Sequence, residues 1–195
     1  EPVQSFCTGN LAIDHIIGCG GLPLGRSVEL YGLPASGKST TALQSAATLQ
    51  QLIIAGGNED LTKGPLVAAD DRIIYFDYEH ALDPEYALAL GLNLDHPSFL
   101  FSQPDSLEQG ANVARALLET GKVRLMIWDS VAAMTPSALL EAETGKATVA
   151  LQARLMSTFL KTLTPALKEH RCTAVFLNHL LDMVDTGGSR PGMPP

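Results

Sequence analysis

Tyr31-Gly32-Leu33-Pro34-Ala35-Ser36-Gly37-Lys38-Ser39-Thr40 matches the phosphate-binding pattern G-x-x-x-x-G-K-[ST] at every fixed position. The glycines let backbone N–H groups turn inward around phosphate oxygens, the Lys38 ammonium reaches the outer phosphates, and the Ser39 hydroxyl is placed to ligate Mg²⁺. The flanks agree. Ser27-Val28-Glu29-Leu30-Tyr31 reads as a short strand, and Thr41-Ala42-Leu43-Gln44-Ser45-Ala46-Ala47 begins a helix whose N-terminal dipole favours anions. A glycine-rich turn with an exposed lysine is the competing reading, and the strand before and helix after disfavour it. Gly32, Leu33, Pro34, Ala35, Ser36, Gly37, Lys38, Ser39 and Thr40 are therefore the first candidates for holding a nucleoside triphosphate.

At 195 residues with 46% hydrophobic content, the chain suits one domain with a sizeable core. No run approaches the roughly 18 apolar residues of a membrane span, and no basic-then-apolar signal pattern opens the sequence, so a cytoplasmic location without membrane partners is expected. Cys7, Cys19 and Cys172 are odd in number, widely spaced and free of CxxC pairs. They read as buried or semi-buried thiols, neither a disulfide framework nor a zinc site. The net charge of −8 argues against a broadly basic surface, so any nucleic-acid binding must come from local elements. Glu1 at the start and turn-type residues over 185–195 lead us to expect a fragment cut at both ends.

Upstream of the loop, Thr8 is placed as the cap of a short helix with apolar Leu11, Ile13, Ile16 and Ile17 and a closing Gly18. The helix that opens at Gly37 should run to about Ile53, on the 3.6-residue period of Leu43, Ala46, Ala47 and Gln50. Residues 55–65 carry breakers and charges and read as a surface loop. Arg72-Ile73-Ile74-Tyr75-Phe76-Asp77 is a buried strand followed by Tyr78-Glu79-His80. Ligands of open α/β sheets bind beyond the carboxyl ends of the strands, so Glu79 shares a rim with the phosphate loop and is a candidate general base. From position alone, a solvated loop carboxylate is the blander alternative.

Asp83 caps the next helix, with Pro84 at its first position and Gly91 near its end. A third strand falls within residues 96–101, and Asp105-Ser106-Leu107-Glu108-Gln109 has capping-box spacing for a helix running to about Thr120. Val123-Arg124-Leu125-Met126-Ile127-Trp128-Asp129-Ser130 is a fourth, nearly continuous apolar strand ending in an acid. With the phosphate loop upstream, Asp129 reads as the carboxylate that holds Mg²⁺ opposite Ser39. Residues 135–148 contain breakers. From Val149 a helical period returns through Leu151, Leu155, Phe159, Leu160 and Leu163, with Arg154 and Lys161 roughly on one face, where they either meet phosphates or form a solvated face. Pro165 should bend or interrupt that helix. Cys172-Thr173-Ala174-Val175-Phe176-Leu177-Asn178-His179 is a fifth strand, which makes Asn178 and His179 candidates for sensing a γ-phosphate. Five strands alternating with helices predict an α/β fold with a mainly parallel, twisted sheet and right-handed crossovers.

Several segments, in order, resemble the ATPase core of the RecA recombinase family over nearly the whole chain. They are Thr8-Gly9-Asn10-Leu11-Ala12-Ile13-Asp14, Gly20-Gly21-Leu22-Pro23-Leu24-Gly25-Arg26, the phosphate loop, Phe76-Asp77-Tyr78-Glu79-His80-Ala81-Leu82-Asp83-Pro84 and Asp129-Ser130-Val131-Ala132-Ala133-Met134-Thr135-Pro136. The resemblance implies a P-loop NTPase of RecA type, with helices on both faces of the sheet, as one core domain over residues 1–195. It implies that Glu79 activates the hydrolytic water, with Lys38 as the second catalytic group, and that Asp83 and Tyr86 contact adenine, Tyr86 by stacking. ATP and Mg²⁺ are the implied cofactors. The implied partners are single-stranded and double-stranded DNA and further copies of the chain, assembled into filaments or rings with ATP at subunit interfaces.

The implied activity is homologous pairing and strand exchange with DNA-stimulated ATP hydrolysis. Residues 137–148 would form a first DNA-binding loop with Arg154 behind it, and residues 182–195 would begin a second. The sequence departs from the family pattern where Asn178-His179 stands in place of the usual Asn-Gln, in the longer connection over residues 56–65, and in its truncation, which is expected to leave hydrolysis by this chain alone slow. A RecA-fold helicase-like or DNA-processing motor and a nucleotide-binding assembly module with little turnover are the competing readings.

Overall fold

Parallel strands need crossover connections, and strands covered on both faces read as continuous apolar runs. The sequence carries that pattern. In the computed structural model, which describes residues 3–57, 59–60, 64–140 and 147–180, five such runs pair into one sheet. They are β1 (Ser27–Gly32), β2 (Arg72–Asp77), β3 (Phe99–Ser102), β4 (Val123–Asp129) and β5 (Thr173–His179). Their order is β1-β5-β4-β2-β3, and every neighbouring pair is parallel.

The helices are α1 (Leu11–Ile17), α2 (Lys38–Ile54), α3 (Pro84–Ala89), α4 (Leu107–Glu119) and α5 (Ala147–His170). Side chains alternate across a strand, and the two faces of the sheet are filled accordingly. Ile73, Tyr75, Leu125, Ile127, Val175 and Leu177 pack with Ala42, Ala46, Leu49 and Ile53 of α2. Ile74, Phe76, Met126, Trp128, Ala174 and Phe176 pack with Ala114 and Leu118 of α4 and Phe159, Leu163 and Leu167 of α5. Helices therefore cover both faces, as expected. Trp128 centres the second layer, stacked on Phe76 at 4.1 Å between ring centroids and met edge-on by Phe159 at 5.2 Å. Among the described residues no helix is long and apolar enough to cross a membrane.

Four local details refine these expectations. Asn10, not Thr8, caps α1, its side-chain oxygen accepting from the N–H groups of Ala12 and Ile13. Thr8 lies two residues before the cap and instead binds the buried Asp14 carboxylate through both its N–H and its hydroxyl. Cys7 is exposed, and its thiol donates to the same carboxylate at 2.7 Å; Cys19 is half-buried and Cys172 buried. Pro165 does not interrupt α5, which runs on to His170. The missing N–H costs about 3 kcal/mol in a free helix, but Phe159, Leu163 and Leu167 anchor the turns on either side in the core. Within the connection expected as a loop, Glu59–Asp60 pairs antiparallel with Gly64–Pro65.

Helix α4 approaches the sheet closely at Gly110, where an added Cβ would overlap the Tyr78 hydroxyl and lie 3.2 Å from Trp128 Cζ3. Gly110→Ala is therefore expected to destabilise the fold by about 1 kcal/mol, since overpacking of about 1–3 kcal/mol outweighs the roughly 1 kcal/mol gain in helix propensity. A denaturant midpoint equal to or above that of the parent chain would contradict this packing.

Candidate active site

Because the sheet is parallel, the strands deliver their last residues to one edge. Gly32 of β1 is in register with His179 of β5, and Asp77 of β2 with Asp129 of β4. The chain leaves β1 through the phosphate loop, where Ala35 and Gly37 take positive φ values of 59° and 85°. Gly37 then starts α2 without a side-chain cap, so backbone N–H groups, not a hydroxyl, face the approach to this helix end. At Gly32 an added Cβ would come within 2.8 Å of Ser36 Oγ, so a side chain there would displace the Ser36 hydroxyl. Residues 34–40 line a cleft of about 370 Å³ together with Glu79, Asp129 and His179.

Lys38 Nζ donates to the carbonyls of Gly32 (3.1 Å) and Leu33 (2.9 Å), which holds the ammonium over its own loop. Ser39 Oγ donates to Asp129 Oδ2 at 2.9 Å, and Tyr75 donates to the same oxygen. Burial pushes the Asp129 carboxyl above its ordinary range; the hydrogen bonds from Tyr75 and Ser39 oppose this, and the charges of Glu79 and Asp77 add to it. A half-buried carboxylate beside a hydroxyl, open to a cleft and crowded by other acids, is a fitting place for a hard divalent cation. No group of three or more His, Cys, Asp or Glu forms a metal cage among the described residues. A hydroxyl and one carboxylate instead suit Mg²⁺, which keeps waters and phosphate oxygens in its shell.

Glu79 lies just beyond β2 on a turn built by Asp77. The buried Asp77 carboxylate accepts from the N–H groups of Ala81 and Leu82 and from Gln103 Nε2, while Tyr78 N–H donates to the Asp129 carbonyl. Glu79 Oε1 in turn accepts from Ser130 Oγ and, at 3.0 Å, faces His179 Nε2. Burial alone would raise the Glu79 carboxyl, but those two hydrogen bonds, with the electrostatic pull of His179 and Lys38, bring it below its ordinary value. The group is thus an anion at neutral pH, able to orient and polarise a water.

The other candidates fall in different places. Asp83 spends its Oδ1 on capping α3 through Glu85 and Tyr86 N–H, and the half-exposed Tyr86 places its hydroxyl 2.9 Å from Thr40 Oγ1, beside the end of the phosphate loop. The Asn178-His179 pair is split by strand alternation. His179 lines the cleft, whereas the Asn178 amide donates to Glu29 on β1, 2.9 Å away. Arg154 and Lys161 are both exposed on α5, about 10 Å apart along the axis, away from the cleft lining. Of the expected DNA loops, residues 141–146 and 182–195 lie outside the described residues, while Ser137–Leu140 is a helical turn and residues 147–148 already belong to α5.

Tyr75, Asp77, Gln103 and Ser130 had no role in the sequence reading. Tyr75 and Asp77 share a strand face and Asp77 is opposite Asp129, a pairing that the sheet sets and no local pattern announces.

The family model for the RecA N-terminal domain matches residues 1–191. The chain is 45% identical over 184 residues to Protein RecA of Mycobacterium marinum (strain ATCC BAA-535 / M), covering 94% of this chain and 48% of that protein. It is 42% identical over 193 residues to Protein RecA of Staphylococcus carnosus (strain TM300), covering 99% and 49% respectively. The chain spans about half the length of these curated relatives.

The two rim carboxylates should respond oppositely to neutralisation. Glu79, lowered in the fold, contributes stability above its unfolded pKa of about 4.3 that is lost as pH falls through the folded value. Asp129, raised in the fold, costs stability at neutral pH, and that cost disappears as pH falls below about 3.9. In EDTA at pH 7, Glu79→Gln is expected to lower Tm and Asp129→Asn to raise it, with both differences shrinking in acid. Shifts of the same sign at pH 7 would contradict this electrostatic picture.

Proposed function

This chain belongs to the RecA family, and from that premise we propose that it is the nucleotide-binding core of an ATP-dependent DNA recombinase. In this reading it polymerises on single-stranded DNA, pairs it with homologous duplex and promotes strand exchange with DNA-stimulated ATP hydrolysis. The observation that carries the proposal is the convergence of the phosphate loop, the Ser39–Asp129 pair and Glu79 on one cleft.

The work of each residue follows from its position. Backbone N–H groups of residues 35–39 cradle the phosphates, and Lys38 exchanges the Gly32 and Leu33 carbonyls for outer phosphate oxygens, an anion for two dipoles. Ser39 and Asp129 hold Mg²⁺, which when bound supplies the charge that neutralises the phosphates. Glu79, ionised and held on its turn, accepts the proton of the attacking water and aims it in line with the leaving phosphate. Tyr86, exposed beside Thr40, offers a ring for adenine to stack on, with Asp83 at the head of the same helix.

Arg154 and Lys161 supply positive charge on one exposed face of α5 for a DNA backbone, the local element that a net charge of −8 calls for. A cytoplasmic location and assembly into filaments or rings with ATP between subunits belong to the same proposal.

Fluorescence polarisation of labelled single-stranded DNA tests it. With a slowly hydrolysed ATP analogue, binding is expected to be nucleotide-dependent and to weaken steeply with salt. Equal binding with and without nucleotide contradicts the proposal. In the site itself, Lys38→Ala is expected to weaken ATP binding at least about tenfold. Glu79→Gln should keep Kd within about threefold while slowing turnover about 100-fold or more. Equal loss of affinity in both variants would overturn the division of labour between them.

A further inference from the structure

Glu79 has a long side chain that is 35% exposed, so nothing in its own packing fixes it in one rotamer. Two hydrogen bonds do so instead, both to Oε1: one from Ser130 at the end of β4 and one from His179 at the end of β5. The carboxyl ends of three strands therefore meet on one carboxylate oxygen. Glu79 Oε2 is left as the oxygen toward which a water can be drawn.

His179 is itself fixed. Its backbone N–H donates to Asn178 Oδ1 at 2.9 Å, and the Asn178 amide is tied to Glu29 on β1, so the end of β5 is braced against its neighbour. The imidazole has two nitrogens and they are not equivalent here. Nε2 faces a carboxylate oxygen and so carries a proton. Nδ1 is buried with no hydrogen-bond partner among the described residues. Nε2–H is therefore the donor that this geometry directs at Glu79.

We infer that His179 is a positioning residue for hydrolysis, which acts through Glu79. The inference rests on the proposed role of Glu79 and deepens it. A carboxylate that must aim a water loses rate when it is free to turn, because alignment of the reacting groups is a large part of the acceleration. Binding of ATP, which is made by the phosphate loop, is untouched by that freedom. His179 therefore belongs to the rate and not to the affinity.

Four forms of the 195-residue chain test this: the parent, His179→Ala, His179→Gln and Glu79→Gln. Single-turnover ATP hydrolysis with Mg²⁺ is read beside the Kd values for ATP and ADP. His179→Ala is expected to slow hydrolysis about 10- to 100-fold. Both Kd values should stay within about threefold, and His179→Gln, which keeps an N–H donor, should recover most of the lost rate. A His179→Ala chain that hydrolyses at the parent rate while Glu79→Gln does not turn over overturns the inference and leaves the role of Glu79 standing. Loss of preference for ATP over ADP in His179→Ala overturns it in favour of a phosphate contact.

If Glu79→Gln hydrolyses at the parent rate, the role of Glu79 fails, and the inference with it. A readout independent of turnover is the ¹⁵N spectrum of histidine-labelled chain, with the His179 signal assigned by its disappearance in His179→Gln. That spectrum should show a proton on Nε2, with a displacement in Glu79→Gln; an unprotonated Nε2 overturns the inference.

Discussion

Parallel register is the constraint on which the site depends. Pairing Asp77 with Asp129 and Gly32 with His179 sets the ends of four strands level along one edge. The side chains just before or beyond those ends then have little choice of place. A slip of one residue in β4 would turn Asp129 toward the opposite face of the sheet and put Trp128 at the rim. The packing prevents it, because Trp128 is enclosed between Phe76 and Phe176 on one face while Ile127 and Leu125 fill the other. The aromatic layer under α4 and α5 thus fixes where a carboxylate on the far side of the strand emerges.

Three acids, Asp77, Glu79 and Asp129, crowd the rim, and each is handled differently. Asp77 is buried and fully employed in backbone and amide hydrogen bonds, so it serves as the frame of the turn that carries Glu79. Glu79 is stabilised as an anion by donors from two neighbouring strands. Asp129 is less comfortable, raised by burial and by the other two. That imbalance is useful. The least satisfied carboxylate is the one beside Ser39, where a divalent cation would relieve it.

Much of this was legible in the sequence because it depends on local pattern. The phosphate loop is contiguous, the strands are continuous apolar runs, and Asp83-Pro84 announces its helix start by cap chemistry alone. What could not be read depends on partners distant in sequence. Tyr75 reaches Asp129 across 54 residues and Ser130 reaches Glu79 across 51, and no spacing rule links them. Asn178 and His179 are adjacent in sequence and equal as candidates there, yet strand alternation sends one to Glu29 and the other to Glu79. Pro165 is the converse case: its local penalty is real, yet the helix continues through it with Leu163 and Leu167 buried on either side. Thr8 and Asn10 are both good caps, and only the tertiary demand of buried Asp14 for donors decides between them.

The central claim is that the phosphate loop, Asp129 and Glu79 form one hydrolytic centre and not three separate surface features. A crystal structure of the chain with Mg²⁺ and a non-hydrolysable ATP analogue tests it most directly. The account expects the β- and γ-phosphates within residues 33–39, the cation between Ser39 and Asp129, and the Glu79 carboxylate within hydrogen-bond reach of a water facing the γ-phosphate. A nucleotide bound in that loop with Glu79 turned away from the phosphates, or with the cation remote from Asp129, would contradict it.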